Sequence, residues 1–149
     1  MPIYMQYDGV DGSVTAAGHE RWIELSSISM GMLNSPGTGQ GSAPSVSEIV
    51  VTKATDRSTP KLMQFCADGK FARQAIVELT TETANGEQVY MQYKLPNVLV
   101  TSYQTGADGH SYPSESMSLN FTKVEFKHIE YASDGSVLLV QEGNWPGSR

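Results

Sequence analysis

Three histidines, one cysteine and a scatter of carboxylates are the side chains in these 149 residues that could do chemistry, and their spacing decides which chemistry. His19, His110 and His128 stand far apart, with neither H-x-x-x-H nor H-E-x-x-H spacing and no cysteine beside them. That pattern gives a metal site little support and reads as histidines on the surface or at a rim. Cys66 is the sole thiol, which excludes an internal disulfide and any metal site built on two thiolates; on an apolar helix stripe it reads as a small buried hydrophobe. Asp8 and Asp11, each followed by glycine in "DGVDG", lack the further ligands of a calcium loop and fit a β-turn. The run "GTGQGS" has the glycines of a phosphate cradle without its context, since strand follows it and no Gly-Lys-Ser or Gly-Lys-Thr closes it. No G-x-S-x-G elbow is present. The expected set of catalytic, cofactor-binding and metal-binding residues is therefore empty. A triad assembled only in space would reveal itself as a cleft holding one histidine and two carboxylates.

The composition narrows the partners. A formal charge of −6, with basic residues scattered, argues against nucleic acid, because affinity for a polyanion comes from clustered Lys and Arg. The aromatic residues are not interleaved with cations into a stacking platform. No run approaches the ~20 apolar residues of a membrane helix, so membrane insertion is not expected. The start "MPIYMQYDGVDG" lacks the basic and apolar regions of a cleaved leader, so secretion is expected to proceed without a Sec signal. One domain over residues 1–149 is the expectation from length.

The elements that must position these residues are mostly strands. Thr, Ser, Val and Tyr are plentiful, and about seven runs alternate with period two. The first is "IYMQY"; next come "RWIELSSISMGM" and "EIVVTKA". "FARQAIVELTTET" and "QVYMQYKLPNVLVTSYQT" flank the hairpin dipeptide Asn85-Gly86; "SMSLNFTKVEFKHIEY" and "VLLVQEGNW" close the set. Pro96 marks an edge or a bulge. One helix interrupts them in "STPKLMQFCADGK". Ser58 or Thr59 can cap it, Pro60 fits its first turn and Gly69 its left-handed end. Leu62, Met63, Phe65 and Cys66 form an apolar stripe, leaving Lys61, Gln64 and Asp68 at the surface. Strand count and turn spacing predict a mainly β fold, a small β-barrel of two packed antiparallel sheets with one short flanking helix.

Two strands change phase. Ile23 and Leu25 share a face that Ile28 and Met30 do not, which a bulge near Ser26 and Ser27 would explain; Ser27, Ser29 and Gly31 then line the small, polar side. Met117, Leu119 and Phe121 lie opposite Val124 and Phe126, which means either a second bulge or an apolar patch for a subunit neighbour. The stretch from Leu33 to Ser47, with Ser35, Gly37, Gly39 and Gly41, reads as a long loop whose length points to function or to order gained on contact.

Four segments in order, "IYMQYDGVDGSVT", "TKATDRSTPKLMQFCADGK", "VLVTSYQTG" and "SESMSLNFTKVEF", closely resemble the haemolysin-coregulated proteins, tube subunits of bacterial type VI secretion systems. The resemblance covers nearly the whole chain and departs in the glycine loop and after Tyr131. It implies a homohexameric ring, rings stacked into a tube, a spike protein with valine-glycine repeats at the tip, a contractile sheath around it and effector proteins carried inside. It also implies a bacterial cytoplasmic protein that leaves the cell on firing, and no catalytic residue. On that basis Val124, Phe126, Leu33, Ser35, Gly37, Gly39 and Gly41 are candidates for subunit contact, and Ser27, Ser29 and Gly31 for the lumen. A monomeric secreted carbohydrate-binding or adhesion module and a small β-scaffold hydrolase are the alternatives.

Overall fold

The computed structural model describes residues 1–34 and 44–145. Among them run eleven strands and one helix. The strand count exceeds the expected seven because runs that alternate as single strands are broken. The run from Arg21 yields β2 (Ile23–Leu25), β3 (Ser27–Ser29) and the start of β4 (Met32–Asn34). The run to Tyr131 divides into β9 (Ser114–Asn120) and β10 (Val124–Tyr131). The stretch read as a loop contributes β5 (Pro44–Val46), which pairs with β4 as a separate two-stranded ribbon. Ser35, Gly37, Gly39 and Gly41 lie outside the described residues.

The remaining strands are β1 (Ile3–Tyr7), β6 (Ile49–Ala54), β7 (Phe71–Thr83), β8 (Gly86–Gly106) and β11 (Val137–Trp145). All pairings are antiparallel, in the order β2-β1-β7-β8-β9-β6-β3, with β10 also on β8 and β11 on β10. The two ends of that path, β2 and β3, are consecutive pieces of chain separated by Ser26, whose amide donates to Thr52 O at 2.7 Å. The sheet therefore curls until its first and last strands are one interrupted run. The phase change there is a change of partner, from β1 to β6, and no extra residue is inserted into one ladder.

The second phase change has a related cause. Glu125 pairs with Lys94 and Asn120 with Leu99, so β9 and β10 lie end to end along the same edge of β8. Opposite the break, β8 carries Pro96 and Asn97, the latter at φ 52°. Pro96, which has no amide to donate, falls where neither β9 nor β10 pairs with β8. Buried positions switch phase across this line in three neighbouring strands, from Ala72 to Ala75, from Leu95 to Val98 and from Phe121 to Val124. The sheet folds along it, and the core is filled from both halves by Met5, Ile23, Val51, Val77, Leu95, Val98, Met117 and Leu119.

The helix α1 (Thr59–Asp68) follows β6. Pro60 sits in its first turn, and Gly69 ends it at φ 62°, donating to Cys66 O while Lys70 donates to Phe65 O. Neither hydroxyl caps it in the expected way. Ser58 makes no side-chain cap bond, and the Thr59 hydroxyl accepts from the Asp56 amide at 3.1 Å. Leu62 and Phe65 are buried, Cys66 is half-buried and Met63 is 42% exposed, so the stripe is narrower than expected. A single short helix lying on a curved sheet touches it along one line, and Met63 rolls off that line. Phe65 is held between Tyr7, at a ring separation of 6.0 Å, and the Lys70 ammonium, 4.8 Å from its ring. Lys61, Gln64 and Asp68 are exposed, as expected.

Replacing Phe65 by Ala should cost about 3–5 kcal/mol of stability, the usual loss for a buried aromatic ring, while Gln64→Ala should leave the melting temperature nearly unchanged. Thermal melts of both variants check this; equal small effects would mean that the helix is only loosely docked.

Candidate functional site

The residues singled out for chemistry do not converge. His110 sits in an exposed turn in which its amide and that of Ser111 donate to Asp108. His128 lies on β10, edge-on to Tyr90. His19 departs from the surface reading: it is buried, stacked on Tyr4 at 4.4 Å and edge-on to Trp22 at 4.6 Å. Its Nε2 is 2.7 Å from Glu78 Oε1, and the other Glu78 oxygen accepts from Gln92 at 2.5 Å. This pins the segment between β1 and β2 onto the outer face of β1 and β7. Among the described residues no group of three His, Cys, Asp or Glu is placed to hold a metal.

One cleft has the composition that the hydrolase alternative asks for. About 770 Å³ of open space between the β7–β8 and β10–β11 hairpins is lined by His128, Glu82 and Glu130 together with Tyr90 and Tyr131. No hydrogen bond joins His128 to Glu82 or Glu130 in this structure; its ring packs edge-on to Tyr90 instead.

The most concentrated polar chemistry lies inside the barrel. β6 buries Ile49, Val51 and Lys53 on its inward face, and β9 buries Glu115, Met117 and Leu119. The register pairs Lys53 with Glu115 directly. Lys53 Nζ lies 2.9 Å from Glu115 Oε1 and 3.0 Å from Asp56 Oδ1, and donates to the Thr59 hydroxyl at 3.1 Å. Thr59 in turn donates to Glu115 at 3.0 Å, Thr55 to its second oxygen at 2.9 Å, and Tyr103 to the first. Both oxygens of the carboxylate are thereby engaged, three donors on the first and one on the second, as a buried ion pair requires. Burial pushes the Glu115 carboxyl up, but the hydrogen bonds from Tyr103, Lys53 and Thr55 and the charge of Lys53 outweigh it and hold the group below its ordinary value. Burial, the bond to Glu115 and the carboxylate charge push the Tyr103 phenol well above its ordinary value. This cluster joins β6, β8, β9 and the first residue of α1.

The surface carries the assembly candidates. Val124 is fully buried in the core of its own subunit, and Phe126 packs against the same core while staying half-buried. Phe126 lies over Gly143 of β11, where a Cβ would come within 2.6 Å of the ring. The exposed apolar surface is on β11 instead. Val137, Leu138, Leu139 and Val140 are 59, 66, 46 and 44% exposed, on both faces of a strand that, among the described residues, pairs only with β10. Leu33 and Met32 are exposed on the β4–β5 ribbon. Ser27, Ser29 and Gly31 are exposed, and Ser27 bonds Thr52 at 2.6 Å while Ser102 bonds Ser118 at 3.0 Å on the same hydroxyl-rich side of β6, β8 and β9.

The model of the family described as "Type VI secretion system effector, Hcp" matches residues 4–128. The chain belongs to the Hcp family. It is 39% identical over 94 residues to Protein hcp1 of Pseudomonas aeruginosa, a match covering 61% of this chain and 57% of that protein. A solved structure of a type six secretion system protein superimposes with a TM-score of 0.88 at 26% identity, over 97% of this chain and 94% of that one. Hcp1 from Salmonella typhimurium gives 0.78 at 25% identity over 97% and 93%. The mainly β fold with one helix is therefore that of known Hcp proteins, and the chain is a type VI secretion system protein.

Sequence reasoning missed Lys53 and Glu115, and it read "VLLVQEGNW" as a strand without singling out its exposed apolar side chains. The first two carried a signal, since each is a charged residue on the inward phase of its strand. The run "VLLV" also carried one, four apolar residues with no alternation.

The pH dependence of stability follows from Glu115. Its folded carboxyl gives up its proton more readily than the unfolded one, so its contribution is fully present above the unfolded value of ~4.3 and is lost as pH falls through the lower folded value. At the alkaline end, burial, the bond to Glu87 and the charges of Glu87 and Glu24 raise Tyr4 to about 12. Its contribution is present below the ordinary 10.0 and is lost as pH rises toward 12. Urea midpoints measured across pH should fall at both ends, and Glu115→Gln should flatten the acid limb; an unchanged acid limb in that variant would contradict the assignment.

Proposed function

We propose that this Hcp protein is a tube subunit: six copies close into a ring through one repeated heterologous contact, and rings stack into a tube that carries effector proteins. The observation that carries the reading is β11, an edge strand with apolar side chains on both faces, which a soluble monomer does not ordinarily leave open to water. The ring neighbour covers it. The β4–β5 ribbon, with Leu33, reaches toward adjoining subunits, and the Ser27, Ser29 and Gly31 side faces the lumen, where small hydroxyl groups hold cargo weakly. Membership in the Hcp family supports the wider setting: a spike protein with valine-glycine repeats at the tip, a contractile sheath outside, and export on firing. In this role the single domain performs no catalysis and needs no cofactor.

Gel filtration with light scattering, followed by electron microscopy, tests the ring. The unaltered protein should elute at six times the subunit mass and appear as rings. Leu138→Asp with Val140→Asp should yield folded monomers, whereas Val124→Asp should unfold the subunit. A double variant that remains hexameric would remove β11 from the interface.

A further inference from the structure

The helix α1 is tied to the barrel in an unusual way. Its apolar grip consists of Leu62 and Phe65, and its first residue, Thr59, enters the buried cluster of Lys53 and Glu115. A helix of ten residues does not persist in water unaided, so it is ordered only while docked. The segment from Thr55 to Thr59 roofs the fully buried Lys53 ammonium, with Asp56 Oδ1 at 3.0 Å and Thr55 on the far oxygen of Glu115. The groups facing Glu115 are Lys53 from β6, Asp56 and Thr55 from the connection, Thr59 from α1 and Tyr103 from β8. At the other end of the helix Tyr7 packs against Phe65.

We propose that α1 and the segment leading into it form an acid-released flap, which leaves the barrel as a unit when Glu115 is protonated, while the strands stay folded. Protonation removes the more deeply buried of the two carboxylates on Lys53 and leaves its ammonium with Asp56 alone, and a buried charge that loses a partner is destabilised. Water can reach the ammonium once the Thr55–Thr59 roof lifts. Opening the flap costs the packing of Leu62, Phe65 and part of Cys66 and the bonds of Thr55, Asp56 and Thr59 to the cluster, whereas opening the barrel would cost the whole core, so the flap is the less stable unit of the two. The direction agrees with Glu115, whose carboxyl is held below its ordinary value, so the flap stays closed at neutral pH and opens only on acidification past the ordinary glutamate range.

Hydrogen exchange, corrected for intrinsic rates and read at pH 7 and below pH 4, tests this on the full chain. Protection of the amides from Leu62 to Gly69 should fall at least tenfold more on acidification than that of Val77 and Val98. Glu115→Gln should open the helix at pH 7 with the strands still protected. Lys53→Met should reverse the dependence, because Glu115 is then the stranded charge and acid neutralises it. Loss of protection in helix and strands together at every pH would overturn the proposal, as would unaltered helix protection in Glu115→Gln. If Lys53→Met does not fold, the Glu115→Gln result decides.

Discussion

An antiparallel sheet has to dispose of its edges, and the way this one does so governs the rest of the molecule. An unpaired strand presents a row of free amides and carbonyls that invites another chain. Here the path from β2 to β3 returns to the same run of polypeptide at Ser26, so most edges vanish by closure. The hairpin of β10 and β11 stands outside that closed path, joined to β8 through β10 alone, and leaves β11 as an open edge with apolar residues on both faces. Among the described residues, β11 is the strand that combines an outer edge with exposed apolar side chains on both faces.

Closure has a local cost that the sequence accommodates. A curled sheet must fold sharply somewhere, and it does so where Pro96 and Asn97 break the long β8 strand opposite the gap between β9 and β10. Lys53 and Glu115 face each other across β6 and β9 just where α1 comes down, and they are bridged by hydroxyls from Thr55, Thr59 and Tyr103. A buried pair of this kind adds little net stability over an apolar replacement, but it is strongly destabilised by the loss of either partner. It fixes where the helix docks more than it strengthens the barrel. Among the described residues two buried polar atoms, Tyr7 Oη and His19 Nδ1, have no hydrogen-bond partner; the first lies against α1 and the second belongs to the β1–β2 connection.

Much of the fold was legible before any coordinates. Alternation located the strands, Asn85-Gly86 the hairpin, and Pro60 with Gly69 the limits of the helix, because each rests on local backbone chemistry. What local pattern does not encode is which strand pairs with which. Both phase changes were visible at Ser26 and between Phe121 and Val124, but the first was read as a bulge where the chain changes partner. At the second, Val124 was offered to a neighbour because the gap opposite Pro96 depends on contacts remote in sequence. Lys53 and Glu115 sat on inward phases and were passed over because charged residues are expected outside. Spacing alone gives no hint that His19 is stacked on Tyr4 and edge-on to Trp22.

We propose that β11 is the edge at which subunits join. Residue-resolved hydrogen exchange of β11 amides, compared between a dilute dissociated sample and the assembled protein, tests it most directly. The amides from Val137 to Val140 that do not bond to β10 should exchange freely in the dissociated subunit and become strongly protected on assembly, with the barrel strands unchanged. Equal exchange in both states, with protection gained elsewhere, would contradict the account.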